Sequence, residues 1–253
     1  MCGRYTAGRA ATFDELDEHR FGHGKDVAAA LGRWNVAPRQ QIAVTERAQD
    51  GTRTARTARW GLLPRWAKTS RDRFQPINAR SDKLEASKLW RSLLDDPAHR
   101  VLIPADGWYE WLHSETKKEK PAPFVHQVDR GAWFGFAGFV NTTRVDDLPD
   151  PITTTVILTT EANGPASRLH ERMPVVLAGP EEEDAWLSPE VSGLDALALL
   201  QPLADDRLTL APASKLVNSV KNEGPELLDP DAEQASAQST RDGLRPAGAV
   251  RDD

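Results

Sequence analysis

Apolar residues along this chain follow two rhythms, and the shorter one dominates. Short runs rich in Val, Ile, Phe and Trp occur at 42–46 (IAVTE), 58–64 (ARWGLLP), 100–111 (RVLIPADGWYEW), 123–128 (PFVHQV), 132–140 (AWFGFAGFV), 153–160 (TTTVILTT) and 173–178 (MPVVLA). They are bounded by Gly, Pro and Asp clusters, which predicts strands. Glycines inside AWFGFAGFV point to a bend or a close backbone approach. The helical rhythm is sparser. Thr12 and Glu15 have the capping-box spacing ahead of Leu16 and Phe21, Asp26 precedes VAAAL and its Gly32 stop, and SDKLEASKLWRSLL starts at a Ser81 cap. PEEEDAWL and GLDALALLQPL supply two more helices. The polar stretches 46–57, 113–123 and 141–151 sit between strand-like runs and predict hairpin loops. Because hairpin-like pairs outnumber strand–helix alternations, the expected fold class is α+β around a mostly antiparallel sheet with flanking helices.

Residues 1–228 read as one domain, with no internal repeat. From 229 to 253 the chain is acidic and nearly free of large apolar residues, so a disordered tail is expected there. Hydrophobic content of 39% and charged content of 28% fit an ordinary soluble protein, and no apolar run is long enough to span a bilayer. With a polar, non-signal-like start and a single cysteine, a cytoplasmic protein without disulfides is expected. The net charge of −6 argues against nucleic acid until its distribution is considered. The body to residue 225 carries only −2, and residues 65–100 hold nine Lys or Arg against five acids. Such a patch suits either a phosphate backbone or a solvated surface.

The only cysteine is Cys2, directly behind Met1. Removal of Met1 would leave an α-amine and a thiol on one residue, a 1,2-aminothiol that no internal cysteine offers. Glu110 lies between Tyr109 and Trp111, where desolvation would make it a proton-transfer group. An exposed glutamate at a strand end fits the same segment. His170 and Arg172 precede a buried-looking strand, consistent with a proton shuttle or a structural histidine. Asn78 and Arg80, two apart, share one side if the backbone is extended. Trp60 and Trp66 alternate with arginines in RWGLLPRW, which suits base stacking over cations as well as core packing. There is no GxGxxG or Walker loop. His19 and His23 have metal-ligand spacing, but the glycines of FGHG interrupt the helix that spacing needs, so no metal and no cofactor are expected.

Taken in order, MCGRY, WNVAP, RWGLLPRWA, INARSDKL, VLIPADGWYEW, TTEAN, LHERMPVVL and VNSV resemble the SOS-response-associated peptidase family of abasic-site-processing proteins, from Cys2 to about Val220. The resemblance implies a barrel-like sheet core. It also implies a monomer that meets abasic sites in single-stranded DNA and associates with the nucleoid when bound. Cys2 would form a thiazolidine crosslink with the ring-opened sugar. Glu110 would hold the amine and move protons, His170 would protonate the sugar oxygen, and Asn78 would bond near the reacting sugar. Arg80 and Arg172 would grip phosphates, Arg4 would line the cleft, and Trp60 and Trp66 would splay or stack bases. An N-terminal-nucleophile peptidase or amidase and a non-covalent single-strand binder are the alternatives.

Overall fold

The runs AWFGFAGFV and TTTVILTT become the two ten-residue strands of a closed barrel. The computed structural model describes residues 2–9, 20–22, 27–113 and 121–232, without the side chains of 28 and 29. In chain order the strands are β1 (Tyr5–Ala7), β2 (Arg33–Val36), β3 (Gln41–Arg47), β4 (Arg53–Trp60), β5 (Asn78–Arg80), β6 (Arg100–Ala105) and β7 (Gly107–Leu112). They continue with β8 (Ala122–Val128), β9 (Phe134–Thr143), β10 (Ile152–Glu161), β11 (Arg172–Pro174), β12 (Val176–Leu177) and β13 (Leu208–Pro212). The helices are α1 (Val27–Ala30), α2 (Lys88–Asp95), α3 (Gly164–Ser167), α4 (Pro180–Leu187) and α5 (Gly193–Ala198). No helix among them is long and apolar enough to cross a membrane. The fold is α+β with a barrel-like core.

Strands β10, β4, β3, β6 and β9 close on themselves, because β9 pairs back onto β10 from Thr143↔Ile152 to Gly138↔Ile157. Closure removes the unpaired edges an open sheet would expose. Every pair in this ring is antiparallel except β10 with β4. Gly138 sits where β6, β9 and β10 converge. A Cβ there would lie 2.8 Å from both Ile103 Cδ1 and Val156 O, which is the close approach the glycines predicted.

A second, five-stranded sheet in the order β13-β8-β7-β1-β2 packs on the barrel. The continuous run RVLIPADGWYEW, expected as one strand, is two: β6 stays in the barrel and β7 joins the second sheet. The break is the buried Asp106, whose N–H donates to Thr6 O (2.9 Å) and whose carboxylate accepts from Arg9 N–H (2.8 Å). The sheets meet through aromatic edges. Tyr5 packs edge-on against Trp60 and Phe136, with ring centroids 5.5 and 5.8 Å apart, and Trp108 packs edge-on against Phe134 and Phe136.

On β8, His126 is buried and lies flat on Trp108 at 4.6 Å. Burial pushes its imidazole down to about 4, against an ordinary value of about 6.5. Below pH ~6.5 the unfolded chain therefore takes up a proton that the folded chain refuses until near pH 4, so acidification favours unfolding across that window. His126→Phe, which keeps a flat ring against Trp108, is expected to flatten the fall in stability between pH 7 and pH 4.5 by about 2–3 kcal/mol. Thermal melts across that range measure it, and an unchanged slope would remove His126 as the titrating group.

Helix boundaries differ from expectation in one place. Ser81–Lys83 forms only a 3-10 turn, and α2 begins after Ser87 instead. Ser81 makes no capping bond, the Asp82 side chain is held by two arginines, and Leu84 is drawn fully into the core. Residues 12–19 and Asp26 lie outside the described residues, and so do 114–120 in the β7–β8 connection and 233–253 of the expected tail. On α4, the fully buried Glu183 accepts from Arg20 Nη2 (2.7 Å), Arg20 Nε (2.9 Å) and Arg53 Nη1 (2.9 Å). That network ties α4 to β4 and to the segment around Phe21.

Candidate active site

Cys2 lies just ahead of strand β1, and main-chain bonds fix the course of the chain between them. Tyr109 N–H donates to Arg4 O (2.9 Å), carrying the β1–β7 pairing past Tyr5↔Trp108 toward the chain start. The Tyr109 hydroxyl donates to Trp34 O (2.9 Å) and locks β2 alongside. Cys2 is fully buried in the main core cluster, next to β7. Its thiol is raised above the ordinary range, first by burial and then by the negative charge of Glu110. Glu110 shares a face of β7 with Trp108, since alternate residues point the same way, and it is also buried.

Asn78 reaches the same residue from the barrel side: its Nδ2 donates to Cys2 O (2.8 Å). Its Oδ1 is buried with no hydrogen-bond partner among the described residues, so an acceptor remains available beside Cys2. The backbone that carries Asn78 is held twice. β5 pairs in parallel with β10 at Ile157↔Asn78, and Trp60 Nε1 donates to Ile77 O (2.8 Å). Trp60, expected to stack bases, is instead 0% exposed and acts as the brace under Ile77.

Trp66 has the opposite fate. At Gly61 the chain turns out of the sheet with φ +128°, a value that suits glycine, and residues 61–77 form a surface loop. Trp66 is 62% exposed on it, 6.4 Å from the exposed Phe74 ring, among exposed Arg65, Lys68, Arg71 and Arg73. The loop is tied down at Leu63, whose O accepts from Asn141 Nδ2 (2.7 Å), and at Ser70, bonded to Asp147.

His170 closes the turn after α3, which Asn163 caps by accepting from Ala166 N–H (3.0 Å). The His170 Nδ1 accepts from Arg172 N–H (3.0 Å), so the neutral ring carries its proton on Nε2. Ala166 and Met173, on either side of this turn, pack in the same core cluster as Cys2. The described contacts thus join Cys2 to Asn78 by a hydrogen bond and to Glu110 through its charge, while the described hydrogen bond of the His170 ring goes to Arg172.

The three arginines separate. Arg4 Nη1 is spent on Asn35 Oδ1 and Val217 O (2.7 Å each), with its guanidinium over the Trp111 ring. Its partner Asn35, fully buried, also points its amide at Val217, Ser219 and Asn222 carbonyls, and so fastens residues 217–222 against β2. Arg172 is buried, and bonds Thr159 O (2.5 Å) and Asp82 (3.2 Å). Only Arg80 leaves its guanidinium about half exposed. Sequence reasoning assigned no role to Asn35, Tyr109 or Asp82, although WNVAP and VNSV carry two of the segments that Asn35 joins. Among the described residues no cluster of His, Cys, Asp and Glu could hold a metal ion.

A family model described as SOS response associated peptidase matches residues 1–220. The abasic site processing protein YoqW of Bacillus subtilis is 34% identical over 234 residues, covering 90% of this chain and 99% of that protein. The abasic site processing protein HMCES of Gallus gallus is 30% identical over 74% of this chain and 60% of its own length. Among solved structures, a Bacteroides thetaiotaomicron protein shares the fold with a TM-score of 0.75 at 21% identity, covering 90% of this chain and 99% of that one.

Proposed function

From the chain's membership of the SOS response-associated peptidase family, we propose that it processes abasic sites in DNA, by forming a covalent adduct through Cys2 once Met1 is removed. The observation that carries this reading is the convergence on Cys2, where the Asn78 amide bonds its carbonyl and the charge of Glu110 acts on its thiol. With Met1 attached the Cys2 nitrogen is an amide and cannot form an imine. After its removal that nitrogen becomes an α-amine with an ordinary pKa of about 7.7–8.0, partly neutral near pH 7.

The ring-opened abasic sugar carries a C1′ aldehyde. As the sugar ring opens, the C1′ hydroxyl loses a proton and the ring oxygen gains one, and His170 relays it at Nε2, delivering a proton to the ring oxygen and taking up the hydroxyl's in exchange. The Cys2 amine adds to C1′ to give a carbinolamine. Glu110 takes a proton from nitrogen and returns one to the departing hydroxyl, so one water leaves and an imine remains. The thiol then adds across the imine, its sulfur bonding to carbon and its proton passing to nitrogen, and the thiazolidine closes. Since both nucleophiles sit on one residue, the second addition is intramolecular. Asn78 steadies Cys2 through its carbonyl and keeps an acceptor for the sugar. Trp66 and Phe74, on a loop that also exposes Arg65, Lys68, Arg71 and Arg73, form a stacking platform indifferent to base identity, which supports a single-stranded substrate. Arg80 meets a phosphate, while Arg4, Arg172 and Trp60 position the elements around the cleft.

The test is a denaturing gel of processed protein with single-stranded oligonucleotides that contain or lack one abasic site. An adduct with the lesion alone, resistant to 1 M salt, is expected. Peptide hydrolysis without adduct would replace this reading with an N-terminal-nucleophile hydrolase, and a shift confined to native gels would replace it with a non-covalent binder. On the same substrates Glu110→Gln is expected to slow adduct formation about 100-fold. Its thiolate absorbance should meanwhile appear at lower pH than in the wild type, because one of the causes holding the thiol up is gone. Two readouts moving in opposite directions separate proton transfer from general damage, and a full crosslinking rate would strip Glu110 of the role.

A further inference from the structure

One carboxylate sits between the arginine proposed to meet DNA and an arginine that cannot reach it. Asp82 follows β5 directly. Its Oδ1 and Oδ2 accept from Arg80 Nε (3.1 Å) and Nη2 (2.8 Å), a two-pronged fork, and its Oδ1 also lies 3.2 Å from Arg172 Nη1. Arg172 is fixed by burial and by its bond to Thr159 O, so it holds Asp82 in place rather than being held by it. Arg80 is the accessible member, with its side chain 49% exposed against 6% for Arg172. A carboxylate presents two oxygens to a guanidinium in the same geometry as a phosphodiester, and both sites cannot be filled at once by one fork. Lys83 Nζ stands further off, 4.0 Å from Asp82 Oδ2, and the neighbouring cavity of about 290 Å³ is lined in part by Asp82, Glu85, Glu161 and Arg172.

We infer that Asp82 is a placeholder on Arg80 that a DNA phosphate must displace, and that it thereby lowers affinity for undamaged single strands. The inference rests on the proposed contact of Arg80 with DNA. Its consequence is selectivity: a protein that holds intact strand weakly can sample it and leave, while at a lesion the covalent bond supplies the retention. The Asp82 carboxyl is held down to about 2, chiefly by its bond to Arg80, so the placeholder stays charged throughout the physiological range.

The test is binding of a fluorescent undamaged single-stranded oligonucleotide to the full chain across roughly 50–200 mM salt. Asp82→Asn keeps an oxygen for Arg172 and removes the charge. It is expected to bind about threefold to tenfold tighter, with the slope of log affinity against log salt steeper by about 0.7, one more phosphate contact. Adding Arg80→Ala should erase both changes. Arg80→Ala should cost more in the Asp82→Asn background than in the wild type, where Asp82 competes for the fork, and Asp82→Ala, a second way to release Arg80, should show the same gain in affinity. Unchanged or weaker binding by natively melting Asp82→Asn or Asp82→Ala would overturn the inference, and so would a gain that survives Arg80→Ala. Crosslinking of the wild type to an abasic oligonucleotide, run alongside, keeps the two ideas apart: no adduct sinks the proposed function, whereas adduct with no Asp82 effect sinks the placeholder only.

Discussion

Cys2→Ala is expected to abolish the stable adduct while leaving the fold intact. The residue is fully buried, but only one sulfur is lost, and the bond from Asn78 goes to the main-chain carbonyl at position 2, which alanine retains. Alanine is also small enough for Met1 removal, so the variant still presents an α-amine. What disappears is the second nucleophile, leaving an imine that water reverses. Intramolecular partners reach effective concentrations of about 10⁵–10⁸ M, so millimolar added thiol is not expected to rescue the product. Cys2→Ser should give at most the reversible imine, since a hydroxyl is a far poorer nucleophile than a thiolate. The measurement is adduct yield on a denaturing gel beside a thermal melt. Equal yields from wild type and Cys2→Ala would remove the mechanism.

The largest expected effect on stability lies far from that chemistry, at Glu183. Its carboxylate is wholly enclosed, and hydrogen bonds from three nitrogens of Arg20 and Arg53 compensate its desolvation. Glu183→Ala leaves two largely buried guanidinium groups facing a void, with side chains only 18% and 9% exposed. Breaking such a network from one side costs about 3–5 kcal/mol. Against a total stability of about 5–15 kcal/mol, that is a large share. A chain of this size should lose roughly 10 °C or more in Tm. Asp184, one residue on, pairs with Arg47 and Arg53 at a 55% exposed side chain, so Asp184→Ala should cost about 1 kcal/mol or less. Thermal unfolding of both variants decides it, and equal small losses would show that the enclosed network contributes little.

Much of the barrel was legible because β3, β9 and β10 are long and rich in β-branched or aromatic residues. The strands that carry the chemistry were not. β1, β2 and β5 span three or four residues, too few for an alternation to register, yet they hold Tyr5, Asn35 and Asn78. The motif RWGLLPRW offered Trp60 and Trp66 on equal terms, and only the turn at Gly61, set by backbone geometry, sends one inward and the other to solvent. Cys2 and Glu110 stood out by residue type and neighbours. The buried course of Arg172, and its hold on Asp82 ninety positions earlier, depends on pairings no local window contains.

The lateral edge of β10 is occupied twice in succession, by β4 at Thr154 and Thr155 and then by β5 from Ile157, with residues 61–77 leaving and rejoining it between. Those seventeen residues are in effect a detour spliced into a single ladder. Their length sets how far the Trp66–Phe74 pair projects, whereas the position of Asn78 is dictated by its partner strand. Reach therefore belongs to the exposed stretch beyond the buried Leu62 and Leu63, and reactivity to the ladder that holds Asn78, so the two are expected to vary separately.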